Sequence, residues 1–261
     1  MIAVEGPSGV GKSTTSRALA RALGAPRIAE AIDRLAPPPS LVFRGAEALS
    51  DLEVTLLQEE RRRFRDAETI GRTGIPVVLD TGFLGPVSYA AGLVGFDPTL
   101  RPALERTARE ARRLVRSGRL GLPDVTVYLD LAAGQVARQI AGDLRRHPRA
   151  LRERHARVAA WERRLWLERF RAIAPDRLLV VRGGRPLSHL LGRLGRRLAG
   201  PLPERPPSRE LALRTIGAFA QGPMGRPTHP PRPPRLRSLP APVPGGTALD
   251  GHRGSGKGRR G

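Results

Sequence analysis

The chain has 261 residues, with 46 Lys or Arg against 24 Asp or Glu, a formal net charge of +22 and no cysteine. The missing cysteines exclude disulfides, thiolate metal sites and a cysteine nucleophile, and the charge favours anionic partners: phosphates, nucleotides, nucleic acid or a membrane surface. No apolar run approaches the ~20 residues needed to span a bilayer, and the N-terminus opens on a strand-like segment, so the chain is expected to be cytoplasmic and free of membrane association.

In chain order, Met1-Ile2-Ala3-Val4 predicts a short strand, followed at once by a glycine-rich turn and a helix over 12–23 with Ala18, Leu19, Ala22 and Leu23 at helical spacing. A second short strand is expected over 26–29, ending at Glu30, and Pro37-Pro38-Pro39 opens a loop. A long helix over 46–72 carries Leu49, Leu52, Leu56 and Leu57 on one side, with the run Glu59-Glu60-Arg61-Arg62-Arg63 assigned to the other. Pro76-Val77-Val78-Leu79-Asp80 and Val125-Thr126-Val127-Tyr128-Leu129-Asp130 are continuously apolar and end in a carboxylate, as buried parallel strands do. Helices follow at 134–143 and 154–173, a fifth strand at 178–181 and a last helix at 186–198. Strands that alternate with helices predict an α/β fold, a parallel sheet covered on both faces.

Beyond residue 200 the composition changes. Residues 201–261 hold 13 of the 26 prolines and a net charge of +8. Two domains follow from this: a folded unit over 1–200 and a disordered Pro/Gly/Arg-rich tail over 201–261.

Gly6-Pro7-Ser8-Gly9-Val10-Gly11-Lys12-Ser13 matches the phosphate-loop pattern Gly-x-x-x-x-Gly-Lys-Ser, and it has the required strand before it and helix after it. In such a loop successive backbone N–H groups point at phosphate oxygens, the helix N-terminus adds partial positive charge, and the lysine reaches the terminal phosphates. Only Lys12 and Lys257 are lysines among the 46 cations, so a lysine at position 12 departs from the chain's habit of using arginine. Gly6, Ser8, Gly9, Val10, Gly11, Lys12, Ser13 and Thr14 are therefore the expected ATP site, with Ser13 on Mg2+. Gly251 to Gly258 imitates the pattern, but Gly258 has no hydroxyl for a metal and too little chain follows it to form a helix.

Phosphoryl transfer needs alignment and charge neutralisation, so a carboxylate and mobile cations are sought next. Asp80, at the carboxyl end of a buried strand, is the leading candidate to order Mg2+ or to take the acceptor's proton. Asp130 is its rival, with helix capping the better reading there, and Glu30 is a third candidate that would face the acceptor. Arg138, Arg145, Arg146, Arg149, Arg152 and Arg154 suit a lid over the triphosphate, with Arg145 and Arg146 assigned to the transferring group and Arg138 to the nucleotide; a solvated helix face would look alike. Trp161, Trp166 and Phe170 are expected to be core.

The loop, together with Leu56-Leu57-Gln58-Glu59-Glu60-Arg61-Arg62, with Val77-Val78-Leu79-Asp80 followed by Ser88-Tyr89, and with Val127-Tyr128-Leu129-Asp130 followed by Val136-Ala137-Arg138, resembles the thymidylate kinases and related nucleoside and nucleoside-monophosphate kinases. The resemblance covers about residues 1–198. It implies a P-loop three-layer sandwich with a five-stranded parallel sheet of order 2-3-1-4-5 and a helical lid, an acceptor-binding arginine at Arg62, a catalytic aspartate at Asp80, an acceptor-side Tyr89, and residues 182–186 near adenine. It departs at Thr81-Gly82, where the family has arginine and an aromatic residue, and at Glu30-Ala31-Ile32, where it has an arginine-glutamate-proline turn. The implied activity is transfer of the terminal phosphoryl group of ATP to a small acceptor, a nucleoside or nucleotide. The alternatives are a nucleotide-binding regulator without transfer, or an antibiotic- or sugar-directed kinase on the same fold. Nucleic acid would be met only through the basic tail, and a homodimer is compatible with the sequence.

Overall fold

Continuously apolar strands need cover on both faces, and the chain provides it. The computed structural model describes residues 1–142, 149–182, 187–198 and 206–222. Strands β1 (Ile2–Glu5), β2 (Arg27–Ile28), β3 (Val78–Asp80), β4 (Val125–Asp130) and β5 (Leu178–Arg182) form one parallel sheet of order β2-β3-β1-β4-β5, the order expected. The helices are α1 (Lys12–Leu23), α2 (Ala31–Arg34), α3 (Gly45–Gly71), α4 (Gly85–Phe96), α5 (Arg101–Arg116), α6 (Ala133–Gly142), α7 (Arg149–Arg164), α8 (Arg171–Ile173), α9 (Leu187–Leu198) and α10 (Arg209–Ala220). A π-helical stretch, Leu165–Phe170, joins α7 to α8. None of the described helices is long and apolar enough to cross a membrane.

Alternation along the strands builds two cores. Ala3, Val77 and Leu79 point to a large core under α3, α4, α5, α7 and α10, while Ile2, Val4 and Val78 point to a smaller one beneath α1, α6 and α9. Trp166 and Phe170 lie in the large core with their rings 5.0 Å apart, as expected; Trp161 is half-buried. Register sets the working edge. Val4 lies opposite both Asp80 and Val127, so β1, β3 and β4 release their chains at the same side of the sheet, where α/β folds bind ligands.

Two expectations are corrected. The run 59–63 does not share one solvent face of α3: Glu59, Glu60 and Arg63 are buried while Arg62 is exposed. Each residue turns the helix by about 100°, so Glu53, Glu60 and Arg63 fall on one inward side with Leu49 and Phe64. Arg63 is fully buried; it pairs with Glu60 and donates to the carbonyls of Asp80 at 2.8 Å and Thr81 at 3.1 Å, tying α3 to the end of β3.

The folded unit also does not stop near residue 200. Ser208 caps α10 by accepting from the Leu211 amide, and Ala212, Ile216 and Phe219 bury against the large core, Phe219 with its ring 5.3 Å from that of Trp166. Arg101 donates to the Ala220 carbonyl at 2.9 Å and holds the helix end. A single amphipathic helix is submerged in a segment whose average is dominated by proline. The remainder of the expected tail, 223–261, lies outside the described residues, as do 199–205.

Candidate active site

Between β1 and α1 the chain curls into a nest. Gly6, Gly9 and Gly11 have φ of 144°, 78° and 96°, values open to glycine, and the turn closes when the Val10 amide donates to the Pro7 carbonyl at 3.2 Å. Gly11 caps α1 without a side chain, which leaves the first amides of the helix pointing into the concavity. Lys12 reaches back across the loop, donating to the carbonyls of Gly6 at 3.1 Å and Pro7 at 3.2 Å. The loop is therefore coiled into the kind of concavity that receives an anion, with its ammonium group drawn across it.

A cleft of about 720 Å³ opens from this loop. Gly6, Ser8, Gly9, Gly11, Lys12, Ser13 and Thr14 line one end of it, as the sequence predicts. Val10 does not: its side chain enters the smaller core and its amide is used in the turn. Ile140 of α6 covers Gly9, so that helix lies over the phosphate end.

The far end is built from carboxylates. Glu5, at the end of β1, is 4% exposed and accepts from the Gly82 amide at 2.7 Å; burial lifts its carboxyl to about 7 against the pull of that amide and of Lys12. Glu30, at the N-terminal edge of α2, lies within electrostatic reach of Lys12, and burial raises its carboxyl too. Among the described residues no side chain forms an ion pair with it. Glu53 and Glu60 enter from α3 and Glu162 from α7. Leu41, Leu52, Leu56 and Pro86 supply apolar wall. Tyr89 lines the cleft as expected, its ring 5.9 Å from that of His155, with burial raising its hydroxyl against a hydrogen bond from Arg154. Arg154 stacks on Phe43 at 4.1 Å and donates to the Leu41 carbonyl at 3.1 Å.

Several predicted site residues are placed elsewhere. Asp80 is fully buried behind Thr81, which alone of the two lines the cleft; Arg27 pairs with its Oδ2 and also donates to Ser16 Oγ at 2.9 Å. Asp80 thus stands one layer back, held by a guanidinium, and is not placed to take a proton from an acceptor. Its Oδ1 has no hydrogen-bond partner among the described residues. Asp130 does not cap α6: Arg163 grips it with two bonds of 2.5 and 3.0 Å, and the Ala132 amide turns to Gln135 instead. Arg62 is exposed, paired with Glu59, and borders a separate groove of about 390 Å³ with Arg61, Arg65 and Arg119. Arg138 is exposed on α6 outside the cleft lining, and Arg145 and Arg146 lie outside the described residues, as do 183–186.

Thr81-Gly82, the departure in the sequence, has a structural cause. Thr81 has φ 67°, rare for a β-branched residue, and is held there by its amide on the Val4 carbonyl and by Arg63 on its own carbonyl. That twist aims the Gly82 amide at Glu5, and a Cβ at position 82 would stand 2.8 Å from Glu5 Oε1. Sequence reasoning missed Glu5, Glu53, Glu60 and Glu162. Glu5 could have been found from its position just before the loop, whereas no local signal marks the others.

The AAA domain family model matches residues 1–117. No curated protein matches the chain. Among solved structures, deoxyadenosine kinase from M. mycoides with bound dATP aligns at TM-score 0.57 and 14% identity over 76% of this chain and 99% of the other. The same kinase with products dCMP and a flexible dCDP bound aligns at TM-score 0.54 and 14% identity over 77% and 99%. At that identity the likeness is one of fold alone.

Proposed function

We propose that this chain, which has the P-loop nucleoside-kinase-like fold, moves the terminal phosphoryl group of ATP to a hydroxyl of a small acceptor that carries no phosphate of its own. The observation that carries the reading is the pairing, in one cleft, of a coiled phosphate loop with a part-buried carboxylate, Glu30, that lines the same space. The resemblance to thymidylate kinases gives way at this point to the nucleoside-kinase side of the likeness, because the acceptor end is acidic where a nucleoside monophosphate would need cations. Deoxyadenosine kinase is named for a nucleoside, and a hydroxyl compound of that size suits the cleft.

Bound ATP with Mg2+ would supply the transferable group. The loop amides and Lys12 would hold its phosphates and offset charge as it develops on the transferred group. Ser13, part-exposed in the cleft, would offer a hydroxyl to the metal, and the uncommitted Oδ1 of Asp80 would orient a water on it from behind Thr81. Glu30 would take the proton of the acceptor hydroxyl; a carboxyl raised by burial is a better base near neutrality than an exposed one. Glu5 would stand behind Lys12 and help fix the ammonium group.

The test is acceptor-stimulated release of ADP by purified protein across a panel of nucleosides, amino sugars and polyols. Lys12→Ala is expected to lower it by about 10³-fold with the fold intact. Turnover unchanged by that substitution would exclude the reading.

A further inference from the structure

The chain carries a net charge of +22, yet the cleft is rich in carboxyls, with Arg17 and Arg27 besides Lys12 as its cations. Five glutamates line the cleft beyond the phosphate loop, and their states differ. Glu60 is neutralised by Arg63, Glu5 is bonded to the Gly82 amide, and Glu30 lies within reach of Lys12. Glu53 has no such company. It is 1% exposed, it lines the cleft from α3, and its Oε2 has no hydrogen-bond partner. Glu162 faces the same cleft from α7, close enough to Glu53 for the two carboxyls to repel; like Glu30 it lies within electrostatic reach of Lys12, and among the described residues it forms no ion pair.

Two carboxyls opposed across a cleft, one of them almost wholly buried and unpartnered, are costly unless something arrives to satisfy them. Arg154, beside Tyr89, is occupied by Phe43, the Leu41 carbonyl and the tyrosine, and Arg27, which lines the cleft, by Asp80. No cluster of three or more metal-ligating side chains exists among the described residues, and two carboxylates alone fall short of the six or so oxygens a hard cation takes. A protonated amine supplies what is missing, a single positive charge with several N–H donors. Leu41, Leu52, Leu56 and Pro86 would pack against the carbon frame that bears it.

Resting on the phosphotransfer reading, we infer that the acceptor is an amine-bearing hydroxyl compound, an amino sugar or aminocyclitol in class, whose ammonium group lies between Glu53 and Glu162 while a hydroxyl is presented beside Glu30 and Lys12. Burial lifts both carboxyls, Glu162 to about 7 and Glu53 well above its ordinary range, so the empty site holds protons that an entering ammonium group would displace. An acceptor bearing a phosphate or carboxylate in that position would leave the two carboxyls without a cation to ionise them.

The experiment is calorimetric titration of the full chain, without ATP, with two matched pairs: kanamycin against its fully N-acetylated derivative, and glucosamine against N-acetylglucosamine. Thymidine monophosphate and deoxyadenosine serve as the competing acceptors. At least one free amine is expected to bind, and its acetylated partner to bind at least about tenfold more weakly. Glu53→Gln and Glu162→Gln should each weaken the amine by about tenfold to a hundredfold, the range for loss of one charge-assisted hydrogen bond. Both variants should retain their circular dichroism and their affinity for a non-hydrolysable ATP analogue. Binding of neither amine, equal binding within both pairs, or amine binding indifferent to both substitutions overturns the inference. Preferential binding of deoxyadenosine or thymidine monophosphate does so as well. The ATP analogue is the separate check: if it fails to bind wild-type protein, or binds Lys12→Ala equally well, the phosphotransfer reading itself is lost.

Discussion

The two ends of the cleft are made in opposite ways. The phosphate end is backbone: glycines, amides and one lysine, contiguous over residues 6–14 and closed by a turn of the chain on itself. The acceptor end is side chain, with glutamates from β1, from the edge of α2, from α3 and from α7 meeting across 157 positions of sequence, from Glu5 to Glu162. A site made of main chain is specified by a short local motif and takes any polyphosphate of the right shape. A site made of dispersed carboxyls is specified only by the packing of helices, and it selects by charge.

The largest test of that division falls where the ends meet. Glu30 is the carboxyl nearest the phosphate loop in function, and Glu30→Gln keeps its shape while removing its basicity. Turnover should fall by about 10²- to 10⁴-fold, the usual contribution of a general base, with ATP-analogue affinity unchanged. If Asp80→Asn gives the kinetic loss and Glu30→Gln does not, the proton acceptor has been placed on the wrong residue.

Next in size is Gly82→Ala. Its Cβ would stand 2.8 Å from Glu5 Oε1, so the carboxyl must move and the amide bond that holds it must lengthen. A displacement of that order near reacting groups costs about tenfold to a hundredfold in turnover, and a drop in Tm should accompany it. Unchanged turnover would separate Glu5 from the reaction.

Legibility followed the same division. The phosphate loop, the helix behind it and the strand order could be read because each rests on local pattern: a motif with its context, or an apolar run with a carboxylate at its end. Only Val10 was misplaced there, its side chain being used as core. On the acceptor side Arg62 was chosen and Arg63 set aside, whereas in the structure Arg63 points inward, as a buried tie between α3 and β3, and Arg62 points out. A charged run on a long helix carries no mark of which residue points inward when the neighbouring element supplies polar partners, as the Asp80 and Thr81 carbonyls do for Arg63. Asp80 looked catalytic by position, but Arg27, which occupies it, comes from a strand of two residues with no signal of its own. Helix α10 was missed because proline-rich flanks on both sides conceal its apolar spacing.

A smaller effect appears in stability against pH. Glu5 has its carboxyl raised from an ordinary 4.5 to about 7, so the folded state holds a proton that the unfolded state has lost in that interval. Its contribution to stability is fully present below about 4.5 and is lost as pH rises through about 7. With other groups titrating in parallel, the wild type should lose about 1–3 kcal/mol between pH 5 and pH 8 relative to Glu5→Gln, read from urea midpoints at the two pH values. A profile equally steep in the variant would mean that the buried carboxyl is not protonated in the empty cleft.

The smallest expected effect falls on the residue that the sequence favoured. Arg62 is 64% exposed along its side chain, and its partner Glu59 also pairs with Arg34 at 2.9 Å, so removing it leaves no buried charge alone. Arg62→Ala should change stability by no more than about 0.5 kcal/mol and leave acceptor KM within about twofold. Arg63→Ala, by contrast, strands Glu60 and two carbonyls inside the fold and should cost about 3–5 kcal/mol, the penalty for breaking a buried ion pair from one side. The two substitutions lie one residue apart and remove the same charge from the same helix. A large rise in KM for Arg62→Ala would return an anion-binding role to the outer face of α3 and weaken the case that this cleft chooses its acceptor by negative charge.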